Sequence, residues 1–287
     1  MKNNVNKRRG PWADVWRRLR KNKMAMFGLI VIVILALVAI FADFIAPYGF
    51  DDQDLSRKFL LPCKDHLFGT DNFGRDILSR IIYGSRVSLT VGFIAVGLAA
   101  LIGGTIGAIA AFYGKKTDNI LMRAMDILLA IPGMLLAISL AAALGPGLNN
   151  MMIAIGVGSI PGYARVVRAS VLTIKEQEFV EAARSIGASD TKIIIGHILP
   201  NAMSPIIVQA TLGVAGAIIS AAALSFLGLG IQPPKPEWGA MLSGARQYIR
   251  DYWHMTVFPG LAIMITIYAL NVLGDGLRDA LDPRLKN

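Results

Sequence analysis

The sequence predicts an all-α protein that crosses a membrane six times. Three observations carry this prediction: only 17% of the 287 residues are charged, 54% are hydrophobic, and the apolar residues are concentrated in blocks. A soluble domain usually has about 25% charged residues. Several blocks reach the roughly 20 residues that a helix needs to cross about 30 Å of hydrocarbon. The predicted spans are 24–46, 87–113, 120–144, 151–171, 202–227 and 255–277.

The first 23 residues are strongly basic and are predicted to stay in the cytosol. They contain nine Lys and Arg residues, opposed only by Asp14. Positive charge beside the first span holds that end of a membrane protein on the cytosolic side. Trp12, Val15, Trp16 and Leu19 fall on one helical face, which predicts contact with anionic lipid headgroups. No soluble domain accompanies these basic residues, so a nucleic-acid partner is not expected.

Charge in the predicted loops sets the expected orientation. The loop 47–86 carries six basic and six acidic residues and is placed outside the cytosol. The loop 175–200 is placed inside and 228–254 outside. About twenty of the 29 Lys and Arg residues then lie on the cytosolic side, in agreement with the positive-inside rule. Both termini are therefore predicted to be cytosolic, and 87–287 is predicted to form a five-helix core.

Few charges lie inside the predicted spans. Arg123 and Asp126 are three residues apart, which places them on one face of the third span. We expect them to form a structural ion pair near the cytosolic interface, with an ion-coupling relay as the alternative. No carboxylate is placed at the centre of any other span. This pattern argues against a secondary transporter driven by protons or sodium.

The sequence contains no recognisable catalytic or metal-binding motif. It lacks the Gly-x-x-x-x-Gly-Lys-Ser/Thr loop that binds the phosphates of ATP. Its three histidines, His66, His197 and His254, are dispersed, and the single cysteine, Cys63, excludes an intramolecular disulfide. We therefore predict no catalytic residue and no metal site, and an enzyme is not expected.

The most informative segment is the loop 175–200, whose first half predicts a short helix. Glu178 and Glu181 would lie in its first turn, where they oppose the helix dipole. Gly187 favours the left-handed conformation that closes a helix. The helix has a charged side that also includes Arg184, and a small or apolar side made of Phe179, Val180, Ala182, Ala183 and Ile186.

The second half of this loop predicts another short helix. Ser189 or Asp190 is expected to cap its start, and Pro200 is expected to end it before the fifth span. A cytosolic loop has no lipid in which to bury the apolar side of the first helix. That side contacts either a partner protein or the ends of the chain's own helices, and the residues alone leave both possibilities open.

Glu181–Ala182–Ala183, then Gly187, then Leu199–Pro200 resembles the EAA motif of binding-protein-dependent ATP-binding-cassette importer permeases. The resemblance implies a type I importer permease fold in which this helical pair enters a cleft of an ATPase subunit. His197, at a position where the family usually has isoleucine, resembles the peptide and nickel branch. The coupling residues implied are Glu178, Glu181, Ala182, Ala183, Arg184, Gly187, Asp190, His197, Leu199 and Pro200.

A second block resembles the "C" permeases of the same branch, which serve dipeptides, oligopeptides or nickel. It contains Gly69, Thr70, Asp71, Gly74, Arg75 and Asp76. Either it contacts the binding protein or it is a turn-rich scaffold in which Asp71, Arg75 and Asp76 satisfy one another. We favour the scaffold. The resemblance covers nearly the whole chain.

The resemblance implies a transport subunit of a bacterial or archaeal inner membrane. Its implied partners are a second homologous permease, two ATPase subunits, an extracytoplasmic substrate-binding protein and membrane lipid. The chain itself would bind no cofactor, because ATP and Mg²⁺ would be used by the ATPases. Peptides are the first expected substrate, and nickel or another metal complex is the alternative that the sequence leaves open.

Overall fold

The computed structural model describes residues 11–282, and this range is predominantly helical. Within it there is no β-strand, only one isolated antiparallel bridge between Thr70 and Asp76. The helices are α1 (Pro11–Lys21), α2 (Lys23–Ile40), α3 (Ala42–Ile45), α4 (Ile77–Tyr113), α5 (Lys115–Leu129), α6 (Gly133–Leu144), α7 (Leu148–Ile174), α8 (Glu178–Ser185), α9 (Asp190–Ile193), α10 (Leu199–Phe226), α11 (Trp238–Ala245) and α12 (His254–Leu281). The predicted basic segment before residue 11 lies outside the described residues.

The centre of the bundle is the pair α4 and α7, which share the most extensive helix–helix contact. Their backbones approach closely at two glycines of α4. A Cβ at Gly103 would overlap the carbonyl of Ile160, and a Cβ at Gly107 would overlap the carbonyl of Ala164. Small residues permit such packing where lipid gives helices no hydrophobic reason to associate.

The remaining long helices surround this pair. Helix α10 packs on α4, α7 and α12, and α2 packs on α12 and α4. Helix α2 keeps much of its apolar surface free, with about half of each of its outward side chains exposed. An apolar surface of this length is suited to hydrocarbon rather than water. These outward residues include Met24, Phe27, Ile30, Ile34 and Leu37.

The six predicted spans can be compared with the helices directly. In the described range, four helices are long and apolar enough to cross a membrane: α2, α4, Asp190–Phe226 and α12. The bent pair α5 and α6 would make a fifth. The predicted fourth span is covered by α7, whose 27 residues extend about 40 Å, but α7 is less apolar because it contains Arg165 and Arg168.

Two predicted boundaries differ from the structure. The third span, predicted as one helix over 120–144, is broken between α5 and α6 by a bend of 83°. Pro132 lies at the break, and proline disfavours the helical conformation for the residue before it. The second span was expected from residue 87, but α4 begins at Ile77 because Asp76 caps its first turn.

Candidate coupling element and polar cap

Residues 175–200, called the coupling element below, lie between α7 and α10. They form α8, a turn at Gly187, α9 and a π-helical turn over Ile194–Ile198. Gly187 has φ +80°, so the predicted left-handed conformation is confirmed. The amide of Ala188 donates to the carbonyl of Ala183 at 3.1 Å, and that of Gly187 donates to Arg184 at 3.0 Å. This pair of bonds is a Schellman motif, which closes α8 and turns the chain toward α9.

The two sides of α8 face different surroundings. Val180 is 1% exposed and Ala183 is 6% exposed. Both pack into a hydrophobic cluster with residues at the ends of α4, α7 and α10, including Ala111, Val171 and Ala202. The predicted apolar side is therefore divided, and its inward part is covered by the chain's own helices. Ala183 does not face outward for a partner, in contrast to the role that the family resemblance implied.

The outward side of α8 carries charged and small residues. Glu178, Glu181, Ala182 and Arg184 are all exposed. Both carboxylates lie in the first turn, where the partial positive charge of the helix end favours them. Of the two adjacent alanines, only Ala182 is exposed and can contact another protein.

Three large apolar side chains project from the coupling element. Ile186 is 85% exposed, Ile195 is 62% exposed and Phe179 is 37% exposed. None of the three was among the residues assigned to coupling from the sequence. Periodicity alone does not separate outward Ile186 from inward Val180, because the direction depends on how α8 sits on the bundle. The sequence offered one local signal, the position of Ile186 directly before the glycine that closes α8.

The second half of the element is continuous with α10, so the prediction that Pro200 ends this helix is wrong. Asp190 is the first residue of α9 and is exposed. The π-helical turn follows, and the amide of Leu199 donates to the carbonyl of Ile194. This wider turn accommodates Pro200, which has no N–H and whose ring would otherwise meet the carbonyl of Gly196. His197 and Leu199 are half-buried beside it.

Residues 47–76, called the polar cap below, precede α4 and contain the second predicted block. Asp71 and Arg75 form one pair: Arg75 Nε donates to Asp71 Oδ2 at 2.7 Å, and the backbone amide of Arg75 donates to Asp71 Oδ1 at 3.0 Å. Arg80 lies 3.7 Å from the same carboxylate. All three side chains are buried. The Asp71–Arg75 pair is buried and its polar groups bind one another. These groups are therefore not available at the surface, and we assign the pair a structural role.

Asp76 satisfies a different set of groups. Its Oδ2 accepts from the amide and the hydroxyl of Ser79, each at 2.7 Å. Its Oδ1 lies 2.9 Å from Nδ1 of His66. Asp76 therefore caps α4 and fixes the His66 ring, rather than contacting Asp71 and Arg75 as predicted. The side chains that carry the resemblance lie within a scaffold, and docking by these buried groups is disfavoured.

Glycines 69 and 74 and Thr70 close the turns of the cap. Gly69 has φ +77° and Gly74 has φ +73°, and a Cβ at Gly74 would overlap the carbonyl of Asp54. Thr70 Oγ1 accepts from the amide of Leu60 at 2.9 Å. Hydrogen bonds from Ser56 hold the pKa of the exposed Asp54 carboxyl below its usual value. The turns of the cap are thus held by local hydrogen bonds, and Phe59 and Phe68 stack on Tyr252 and Phe258.

Two family descriptions match the sequence. Residues 103–287 match "binding-protein-dependent transport system inner membrane component", which is more than half of the chain. Residues 10–62 match the N-terminal transmembrane domain of oligopeptide transport permease C. The chain belongs to the binding-protein-dependent transport permeases. It is therefore a transport subunit and an integral inner-membrane protein, in a family that works with ATPase and binding-protein partners.

Curated relatives of the permease are similar over almost their whole length. The dipeptide transport system permease protein DppC of Alkalihalophilus pseudofirmus is 49% identical over 96% of this chain and 91% of its own length. The glutathione transport system permease protein GsiD of Escherichia coli is 50% identical over 97% of this chain and 92% of its own.

Solved structures support the fold of the permease. An inward-facing MetNI methionine ABC transporter matches with a TM-score of 0.59, 20% identity, and coverage of 72% of this chain and 98% of that chain. An amino acid ABC transporter matches with a TM-score of 0.54, 16% identity, and coverage of 70% and 94%. The predicted type I importer permease fold is confirmed.

Ion pairs in the permease differ from the prediction. Asp126 Oδ1 pairs with Arg165 of α7 at 2.7 Å, so the predicted Arg123–Asp126 pair is wrong. Arg168 binds both oxygens of Asp118, at 2.5 and 2.6 Å. An arginine from a packed neighbouring helix can approach a carboxylate more directly than one on the same helix. The two pairs hold α5 against α7.

One helix connects the coupling element with the polar cap. Helix α4 has 37 residues and is about 55 Å long. At one end Asp76 caps it. At the other, Lys175 Nζ donates to the carbonyl of Ala111 at 2.8 Å, and the guanidinium of Arg184 lies 5.6 Å from the ring centre of Phe112. The coupling element therefore contacts the end of α4 directly.

Proposed function

We propose that the permease carries peptides, delivered by a substrate-binding protein, across the membrane. The observation that carries the proposal is the 49–50% identity, over 96–97% of this chain, to permeases named for dipeptide and for glutathione transport. Glutathione is itself a small peptide, so both names indicate the same chemical class. The same observation favours peptides over nickel, the alternative that the sequence left open.

The complex in this proposal contains a second homologous permease and two ATPase subunits. ATP and Mg²⁺ act in the ATPases, and this chain binds no cofactor of its own. The coupling element supplies the docking surface: Ile186, Ile195 and Phe179 give it exposed apolar side chains, and the Glu178–Glu181–Arg184 side gives it charge. Apolar anchors surrounded by charged groups are typical of residues that dominate binding between proteins.

ATP-driven closure of the ATPases then moves α8 as a lever. Val180 and Ala183 fix α8 to the bundle, and Lys175 and Arg184 join it to the end of α4. The polar cap keeps the opposite end of α4 rigid. A movement applied at the coupling element would therefore rotate α4 with its neighbours instead of bending it, which alternates access to the path.

The proposed orientation places both termini and the coupling element in the cytosol. The polar cap, including the exposed Cys63, then faces outward. A thiol reagent that cannot cross membranes should label Cys63 in spheroplasts without permeabilisation. Labelling that requires a permeabilised inner membrane would reverse the orientation.

The test of the function is transport by the assembled complex in proteoliposomes. With ATP and the binding protein present, labelled dipeptide should accumulate and unlabelled tripeptide should compete. Radioactive nickel offered with the same binding protein should not accumulate. Accumulation of nickel without dipeptide would contradict the peptide assignment, and dipeptide uptake that persists without ATP would contradict the importer mechanism.

A further inference from the structure

Helix α1 is fixed along one side to the rest of the chain. Val15 and Leu19 pack in a small cluster with Ala25 of α2 and with Leu277 and Ala280 of α12. On the same side, the guanidinium of Arg18 donates to the carbonyl of Asp282 at 3.2 Å. The helix therefore joins the start of α2 to the end of α12.

The adjoining side of α1 carries two tryptophans whose side chains are half or more exposed. Trp12 is 61% exposed and Trp16 is 50% exposed. Within residues 11–282 neither ring contacts another aromatic ring or a cation. Arg20 continues the same line at the next four-residue step, since such steps advance only about 40° around a helix. Trp12, Trp16 and Arg20 are called the outer stripe below.

The outer stripe lies next to the exposed apolar surface of α2, which is suited to lipid. Helix α2 begins two residues after α1 ends, and its first outward side chains, Met24 and Phe27, are 52% and 49% exposed. Because α2 crosses the membrane, the stripe lies where that crossing starts. Tryptophan is enriched at this depth, where its ring meets apolar chains and its N–H meets headgroups.

Charge indicates the type of lipid. Arg20, Lys21 and Lys23 are exposed and form no ion pair with the part of the chain that the structure describes. The one acidic residue of α1, Asp14, is 3.4 Å from Arg17. Unpaired cations beside interfacial tryptophans are more complementary to anionic headgroups than to zwitterionic ones.

We propose that the outer stripe and Lys23 bind anionic phospholipid, and that this contact regulates transport by holding the joined ends of α2 and α12 at the membrane surface. Val15 and Leu19, which the sequence also assigned to lipid, serve instead as the attachment to the protein. The proposal rests on the membrane assignment and is independent of the substrate. Transport should increase with the anionic fraction of the bilayer and fall as salt screens the contact.

Fluorescence of the assembled complex in nanodiscs tests the contact. The signal of Trp12 and Trp16 is the difference between the wild type and the variant with Trp12→Phe and Trp16→Phe. Brominated phosphatidylglycerol should quench this signal more strongly than brominated phosphatidylcholine at equal bromine content. Arg20→Gln with Lys23→Gln should weaken that preference by about thirtyfold. Lys58→Gln with Lys64→Gln removes the same charge from the polar cap and should leave it unchanged.

Transport per complex, measured over increasing phosphatidylglycerol, tests the regulation. The wild type should respond, and the Arg20 and Lys23 variant should respond at least about threefold less. Equal quenching by the two lipids, or a wild-type rate independent of lipid charge, would overturn the proposal. Quenching that is present in the permeases without ATPases but absent from the assembled complex would assign the stripe to a protein and also overturn it. If the variant fails to assemble, added salt must abolish the wild type's preference for the anionic lipid.

Discussion

The polar cap and the coupling element sit at opposite ends of α4 and are built in opposite ways. In the cap, Asp71, Arg75 and Asp76 are buried, and each has hydrogen-bond partners within a few residues. In the coupling element, Ile186 and Ile195 are mostly exposed, although Val180, Ala183, Ile193 and Ile198 attach it to the bundle. The charged residues of the family block in the cap are bound within the chain, whereas the coupling element leaves Ile186 and Ile195 exposed beside its charged residues.

The difference shows how to distinguish a scaffold from a docking surface when both contain family motifs. Buried polar residues that satisfy one another make a region rigid, and removing one leaves its partners unpaired. Exposed apolar residues on a short, lightly held helix contribute little to folding and much to binding. Changes in the cap should therefore affect the permease itself, and changes on the outer side of the coupling element should affect its assembly.

The largest effect is expected from Asp76→Ala. The substitution removes the cap of α4 and leaves the groups of Ser79 and the ring of His66 without their acceptor. Breaking a buried pair in this way costs about 3–5 kcal/mol. Thermal unfolding of the purified permease should shift to markedly lower temperature. The control is Asp65→Ala, an exposed neighbour; if both variants unfold alike, the cap is not the rigid end.

Ile186→Ser should affect assembly and leave folding unchanged. Because the side chain is 85% exposed, the free energy of unfolding should change by less than about 0.5 kcal/mol. Loss of an apolar anchor should weaken ATPase binding by about 2 kcal/mol, or roughly thirtyfold. Titration of purified ATPase onto the permease measures this. Leu67→Ser, an exposed residue of the cap, is the matched control, and equal affinities in the two variants would disprove the anchor.

Gly187→Ala tests the turn with a smaller effect. At φ +80° a Cβ is strained, although it would meet no neighbouring atom, so the expected cost is about 1 kcal/mol. Proteolysis rates in the coupling element should rise about fivefold. Gly196→Ala, which also has open space and no positive φ, should leave the rate unchanged or lower it, because alanine favours a helix. A neutral Gly187 variant would mean that the left-handed turn is not required.

Features that depend on local chemistry were predictable from the sequence. The apolar blocks give most of the helices, because crossing hydrocarbon requires long uncharged segments. The turn at Gly187 was predictable from the residue type, since few other residues adopt a left-handed backbone at low cost. The start of α8 was predictable from Glu178 and Glu181, because the helix dipole favours acidic residues in the first turn.

Features that depend on packing were not predictable. Asp126 pairs with Arg165 because α5 lies against α7, which spacing along one helix does not reveal. Pro200 continues a helix because a π-helical turn absorbs it. Ala183 is buried and Ala182 is exposed because of the side on which the bundle covers α8. The pattern of apolar residues does not show which side of the helix that is.

Ala182 and Ala183 test whether the outer side of α8 binds the ATPase while its inner side packs on the helix bundle. In Ala182→Asp the permease should keep wild-type thermal stability but lose ATPase on purification. In Ala183→Asp a carboxylate is buried in the hydrophobic cluster, so the permease alone should lose stability. Both quantities are measured for both variants. Equal loss of stability in the two, or full ATPase retention and coupled transport in Ala182→Asp, would contradict the account.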